Sequence, residues 1–107
     1  MKKFNIDDFI GGWFVGNFSP SIIRTKSFEA GVKKYSAGDV DAKHVHKIAT
    51  EITYIAKGSV KFNDVVYSEG DIIILYPNDV NEFRSITDSI LFVLKAPSVP
   101  GDKFVIE

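Results

Sequence analysis

Twenty-four of the 107 residues are isoleucine or valine, whereas leucine occurs three times and alanine six. β-Branched side chains lose rotamer freedom in a helix and pack well on a pleated surface. Leucine and alanine, which fill helix interiors, are scarce. Nine phenylalanines, four tyrosines and a tryptophan add to the same bias. The chain is therefore expected to be all-β, with little or no helix. Its length suffices for one core and leaves no room for a second, so residues 1–107 are read as a single domain.

Turn signals fall roughly every ten residues, as in sandwiches and barrels. Residues 1–20 are aromatic and glycine-rich and are expected to form an N-terminal arm with a short strand. Ile22 to Tyr35 contains two strand-like pieces, and within it Phe28, Ala30 and Val32 alternate with polar residues or glycine, the pattern of a half-buried strand. Ser36 to Lys43 reads as a loop, followed by strands at Lys43–Ile48 and Glu51–Lys57. Asn63-Asp64 joins Val60–Phe62 to Val65–Tyr67 as a two-residue hairpin, because both turn residues tolerate positive φ. Further strands are expected at Ile72–Tyr76, Glu82–Ile86, Ile90–Lys95 and Lys103–Ile106.

The two histidines, His44 and His46, are separated by one residue. On a strand such residues share a face, and two neighbouring imidazoles suit a divalent metal. Glu51 opens the next strand and meets them if that strand pairs back. The plain alternative is a His-x-His that is merely exposed or hydrogen-bonded.

The segment Gly38-x5-His44-x-His46-x4-Glu51-x6-Gly58 resembles the first motif of the cupin superfamily in full. The resemblance implies a small antiparallel β-barrel of the jelly-roll type. It implies a divalent metal (Fe, Mn, Zn or Ni) held by His44, His46 and Glu51 with a histidine from a second motif. That second motif is degenerate: Gly70 is followed by Pro77-Asn78-Asp79, and the usual histidine position holds Glu82. Asp79 is expected to take the left-handed conformation of the missing glycine. Three readings of Glu82 stay open. It is a fourth ligand, it is a general acid or base beside a three-ligand metal, or the site is degenerate and empty.

Alternation places Arg84 on the same face as Glu82, where it would grip a carboxylate or phosphate, or else serve as a counter-ion. Thr53 and Ile55 share the face of Glu51, Tyr54 points away, and Tyr35 and Phe92 are candidate walls of a ligand cavity. A metal-dependent isomerase, epimerase or dioxygenase acting on a small organic acid or sugar derivative is expected. The alternative is a non-catalytic ligand-binding or regulatory module, and a weaker third reading is a metal-free sugar-nucleotide isomerase.

A net charge of −1 without a basic cluster argues against nucleic-acid partners. The absence of cysteine excludes disulfides and thiolate chemistry in this chain. The longest apolar run, Ile72–Tyr76, is too short for a membrane helix, and Asp7 and Asp8 interrupt any signal-like segment. A cytoplasmic homodimer is expected, with the arm around Trp13 as its contact.

Overall fold

The computed structural model describes residues 1–107. Two short 3₁₀ turns, Ile6–Asp8 and Ile10–Gly12, precede ten strands. These are β1 (Trp13–Val15), β2 (Glu29–Tyr35), β3 (Val40–Val45), β4 (Thr50–Lys57), β5 (Ser59–Phe62), β6 (Val65–Ser68), β7 (Ile72–Leu75), β8 (Asn81–Ser85), β9 (Ser89–Ala96) and β10 (Phe104–Val105). They form two antiparallel five-stranded sheets, β1-β2-β9-β4-β7 and β10-β3-β8-β5-β6. The all-β class expected from the β-branched composition, and the jelly-roll arrangement that the motif resemblance implies, are the ones observed. No helix is long and apolar enough to cross a membrane.

Between the sheets lie Ile55, Val60, Phe62, Ile73, Leu75, Phe83, Leu91 and Val93, with Trp13, Tyr35 and Tyr67 packed against them. Each large side chain buried this way contributes roughly 1.5–3 kcal/mol. The core comes from strands of both sheets, so it joins the layers rather than either hairpin alone.

One turn device recurs three times. In Ser36–Asp39, Ser68–Asp71 and Tyr76–Asp79, the last residue's N–H donates to the first residue's carbonyl, and its carboxylate accepts from the first residue's N–H. The third position has positive φ in each, as a type II turn requires. Gly38 (89°) and Gly70 (94°) fill it in two turns, and Asn78 (71°) fills it in the third. Asn78 therefore does the work expected of Asp79, while Asp79 closes the turn. The Asn63-Asp64 hairpin forms as expected, with both residues at positive φ.

Two boundaries differ from the sequence reading. β3 begins at Val40, inside the expected loop, and ends at Val45, so His46 lies just past the strand. Ile22 and Ile23 belong to no strand; they sit in an irregular loop closed by Ile22 N–H to Phe14 O (2.8 Å).

Candidate functional site

A cavity of about 350 Å³ opens at one end of the sandwich. His44, Glu51, Thr53 and Asn81 line its floor and sides, with Tyr35 and Phe83 as aromatic walls. Lys33, Lys95 and Lys103 surround it, together with Asp41 and Trp13. The Trp13 ring lies on Gly31, its ladder partner: a Cβ on Gly31 would sit 2.8 Å from Trp13 Cε3. Lys33 and Lys95 flank that ring, their Nζ atoms 5.4 and 5.1 Å from its centroid.

The histidines are buried, with ring centroids 5.0 Å apart. His44 Nδ1 lies 2.6 Å from Ala42 O. A carbonyl only accepts, so Nδ1 carries a proton and Nε2 is the ring atom with a lone pair to give to a metal. His46 Nε2 has no hydrogen-bond partner. Burial, reinforced by the charges of Lys95 and His44, lowers the His46 pKa to about 4, so this ring is neutral near pH 7. Asn81 faces His44 across the β3–β8 ladder, and its buried Oδ1 also lacks a partner.

Glu51 is turned toward a different neighbour. Its Oε1 is 4.0 Å from Lys95 Nζ, and its Oε2 accepts from Thr53 Oγ1 at 3.3 Å. Burial raises its pKa, against the opposing pull of Lys95 and Thr53. Tyr35 is pushed up to about 12, first by burial and then by Asp41 and Glu51, so its hydroxyl keeps its proton. No three histidine or carboxylate groups converge tightly enough to ligate one ion. The donor chemistry still suits a borderline divalent cation, because the two imidazoles and the amide oxygen include two buried atoms that lack any partner.

The bend between His46 and Glu51 in the chain is held from a distance. Asp102, near the C-terminus, accepts from the N–H groups of Lys47 and Ala49, both at 2.9 Å, and from that of Ile48. Burial opposes ionisation of Asp102, but these donors outweigh it and hold its pKa below the usual value.

No family model matches the sequence, and no curated protein does. Solved structures do. A protein with a double-stranded β-helix domain from Klebsiella pneumoniae subsp. pneumoniae MGH 78578 superposes with a TM-score of 0.72 at 20% identity, over 99% of this chain and 92% of that one. An RmlC-like cupin from Shewanella frigidimarina NCIMB 400 gives 0.63 at 20%, over 71% of each chain. KdgF from a Halomonas species gives 0.64 at 22%, over 71% of this chain and 74% of that one. The chain has the cupin fold.

Within that fold, the expected site residues divide. His44, Glu51, Thr53 and Tyr35 line one cavity, and His46 is buried beside His44. Ile55 lies deeper, fully buried in the core, rather than on the cavity wall. Glu82 and Arg84 do not enter the site. β8 buries Asn81, Phe83 and Ser85 and exposes Glu82 and Arg84. The opposite register would bury two charges and expel Phe83 from the core, and a one-residue slip exchanges every side chain. Phe92 is likewise exposed, while its neighbours Leu91 and Val93 face inward. Tyr54 points outward as expected. Trp13, in the arm expected to make the dimer contact, is half-buried in the cavity wall.

Sequence reasoning missed Asn81, Lys95, Lys103 and Asp102. The alternation Asn81-Glu82-Phe83-Arg84-Ser85 carried the signal for Asn81, since only one of its two faces is free of charge. The others become visible only when β9 pairs between β2 and β4 and the C-terminal segment packs beside β3 and the bend after it.

Proposed function

We propose that this cupin-fold domain binds a divalent metal through His44 and His46, with Asn81 Oδ1 as an oxygen donor, and takes a small organic anion above it. The observation that supports the reading is the pair of buried polar atoms without a hydrogen-bond partner, His46 Nε2 and Asn81 Oδ1, beside the second imidazole. One cation would satisfy both. The bound metal would supply Lewis acidity toward a substrate oxygen. Lys33, Lys95 and Lys103 take the anion-binding part earlier assigned to Arg84, because they surround the cavity and Arg84 does not.

Glu51 is the group suited to move a proton. It is buried, its pKa is raised, and it sits against Lys95 and Thr53 rather than with the histidines. A carboxyl tuned upward works near neutral pH as a general acid or base. This favours a proton-transfer reaction of the isomerase or epimerase type over oxygenation. The chemistry would run on an organic acid or an anionic sugar derivative.

The test is titration of the tag-free protein with Ni²⁺, Zn²⁺, Mn²⁺ and Fe²⁺ by calorimetry. Wild type is expected to bind about one equivalent. His44→Ala and His46→Ala should abolish binding, Asn81→Ala should weaken it, and Glu82→Ala should leave it unchanged. Saturable binding retained in both histidine variants would overturn the reading. Proton exchange into candidate acids, lost in Glu51→Gln with metal still bound, would separate an enzyme from a binding module.

A further inference from the structure

Of the three donor residues at the site, sheet ladders fix two. His44 sits in β3 between Asn81 of β8 and Val105 of β10, so His44 and Asn81 hold each other in register. His46 lies past the end of β3 and pairs with no strand. Its ring is nevertheless buried beside that of His44.

Two sets of hydrogen bonds hold the backbone there. The Asn78 N–H donates to His46 O at 2.7 Å. The three residues after His46 all turn their N–H groups onto Asp102. Lys47 donates to Oδ1 and Ala49 to Oδ2, both at 2.9 Å, and Ile48 lies 3.3 and 3.2 Å from the two oxygens. Asp102 is buried and does not line the cavity, so its carboxylate serves the bend and not an ion. The residues that follow attach to the same stretch of chain. Lys103 Nζ donates to Asp41 at 3.1 Å, Phe104 and Val105 pair with Val45 and His44, and the Ile106 N–H donates to Lys43 O at 2.8 Å. Lys47 Nζ lies 4.0 Å from the Phe104 ring centroid. Residues 102–106 therefore run along residues 41–49, the segment that carries both histidines.

We propose that this C-terminal segment is a clasp that positions His46 for the metal, with Asp102 as its positioning residue. The inference rests on the metal reading given above. Two imidazoles chelate best when both are held in place before the ion arrives, because ordering them at that moment costs affinity. His44 is held by its ladder. His46 is held through the bend, whose three donors are tied to one carboxylate. Without Asp102 those N–H groups turn to water, and the bend gains conformations that binding must remove. Groups that orient metal ligands without touching the ion are worth roughly 10–100-fold in metal affinity.

Calorimetric titration of the tag-free full chain with Ni²⁺ tests the clasp. Asp102→Ala should bind roughly 10–100-fold more weakly than wild type. Asp102→Asn, which keeps one acceptor oxygen, should fall between the two. Ile73→Ala opens a hole in the core away from the cavity wall, and should keep wild-type affinity despite its loss of stability. Equal affinity in wild type and Asp102→Ala, or equal losses in Asp102→Ala and Ile73→Ala, overturns the clasp and leaves the metal reading standing. A wild type that binds no Ni²⁺ overturns both. Should Asp102→Ala fail to fold, amide hydrogen exchange in the wild type decides the matter. Ni²⁺ should slow exchange at Lys47, Ile48 and Ala49 more than at Gly70, whose N–H donates to Ile55 O at 2.8 Å in another part of the barrel. Equal slowing at all four overturns the clasp.

Discussion

Asp102 links the last residues of the chain to the bend between the two histidines and Glu51. Three backbone N–H groups converge on one buried carboxylate, so its removal leaves donors that water must reach or that stay unpaired. Asp102→Ala is expected to cost about 2–4 kcal/mol by urea denaturation at pH 7. Its pKa is lower in the folded chain than in the unfolded one, as is that of His46. Both groups bind fewer protons when folded, so stability rises with pH. The His46 contribution is whole above about pH 6.5 and is lost as pH falls toward about 4, its folded value. The Asp102 contribution is lost at still lower pH, through its own depressed pKa. Urea midpoints of wild type should therefore fall between pH 6.5 and 4, and His46→Gln should flatten that limb. The same pH dependence in wild type and His46→Gln would contradict the burial of a neutral His46; the raised pKa of Glu51 works in the opposite direction but is common to both proteins.

At the scale of elements, β8 shows how much of the site the sequence made legible. Motif spacing placed His44, His46 and Glu51 in one region, and the hairpin at Asn63-Asp64 was readable from turn chemistry alone. The same spacing misled at Glu82, because motif arithmetic aligns residue counts while a strand aligns faces. The turn before β8 belongs to a series already present in the chain, with glycine or asparagine third and aspartate fourth: Gly38-Asp39, Gly70-Asp71 and Asn78-Asp79. Read as that series, Asn78 takes the left-handed position, and the alternation beyond it buries Phe83. Phe83→Ala is expected to cost about 3–5 kcal/mol, because its ring packs against Tyr35 and Phe62 at 4.6 and 5.1 Å between centroids. Arg84→Ala should shift the urea midpoint by less than about 0.5 kcal/mol. Comparable losses in both variants would show that β8 is not held in this register.

For the whole molecule, charge is distributed by surface rather than by sequence. The chain carries a net charge of −1, yet the cavity mouth gathers three lysines against Asp41 and Glu51. Lys33 comes from β2, Lys95 from β9 and Lys103 from the tail before β10. Lys33 lies 62 residues before Lys95, so the positive mouth was illegible until strands distant in the chain became neighbours. Within it the lysines are not equivalent. Lys103 is engaged by Asp41 at 3.1 Å, whereas Lys33 reaches Gly11 O at 2.6 Å, a neutral partner that leaves its charge available. Burial lowers the Lys33 pKa, partly offset by Asp41. A desolvated ammonium gains more from an incoming anion than a hydrated one does. Oxalate affinity, measured by calorimetry at fixed pH, should therefore fall with rising ionic strength and fall at least tenfold in Lys33→Met. Lys103→Met should lose less, because the Lys103 charge is already engaged by Asp41 while Lys33 and Lys95 remain. Equal binding by wild type and Lys33→Met would remove the anion from the cavity mouth, whatever metal the histidines hold.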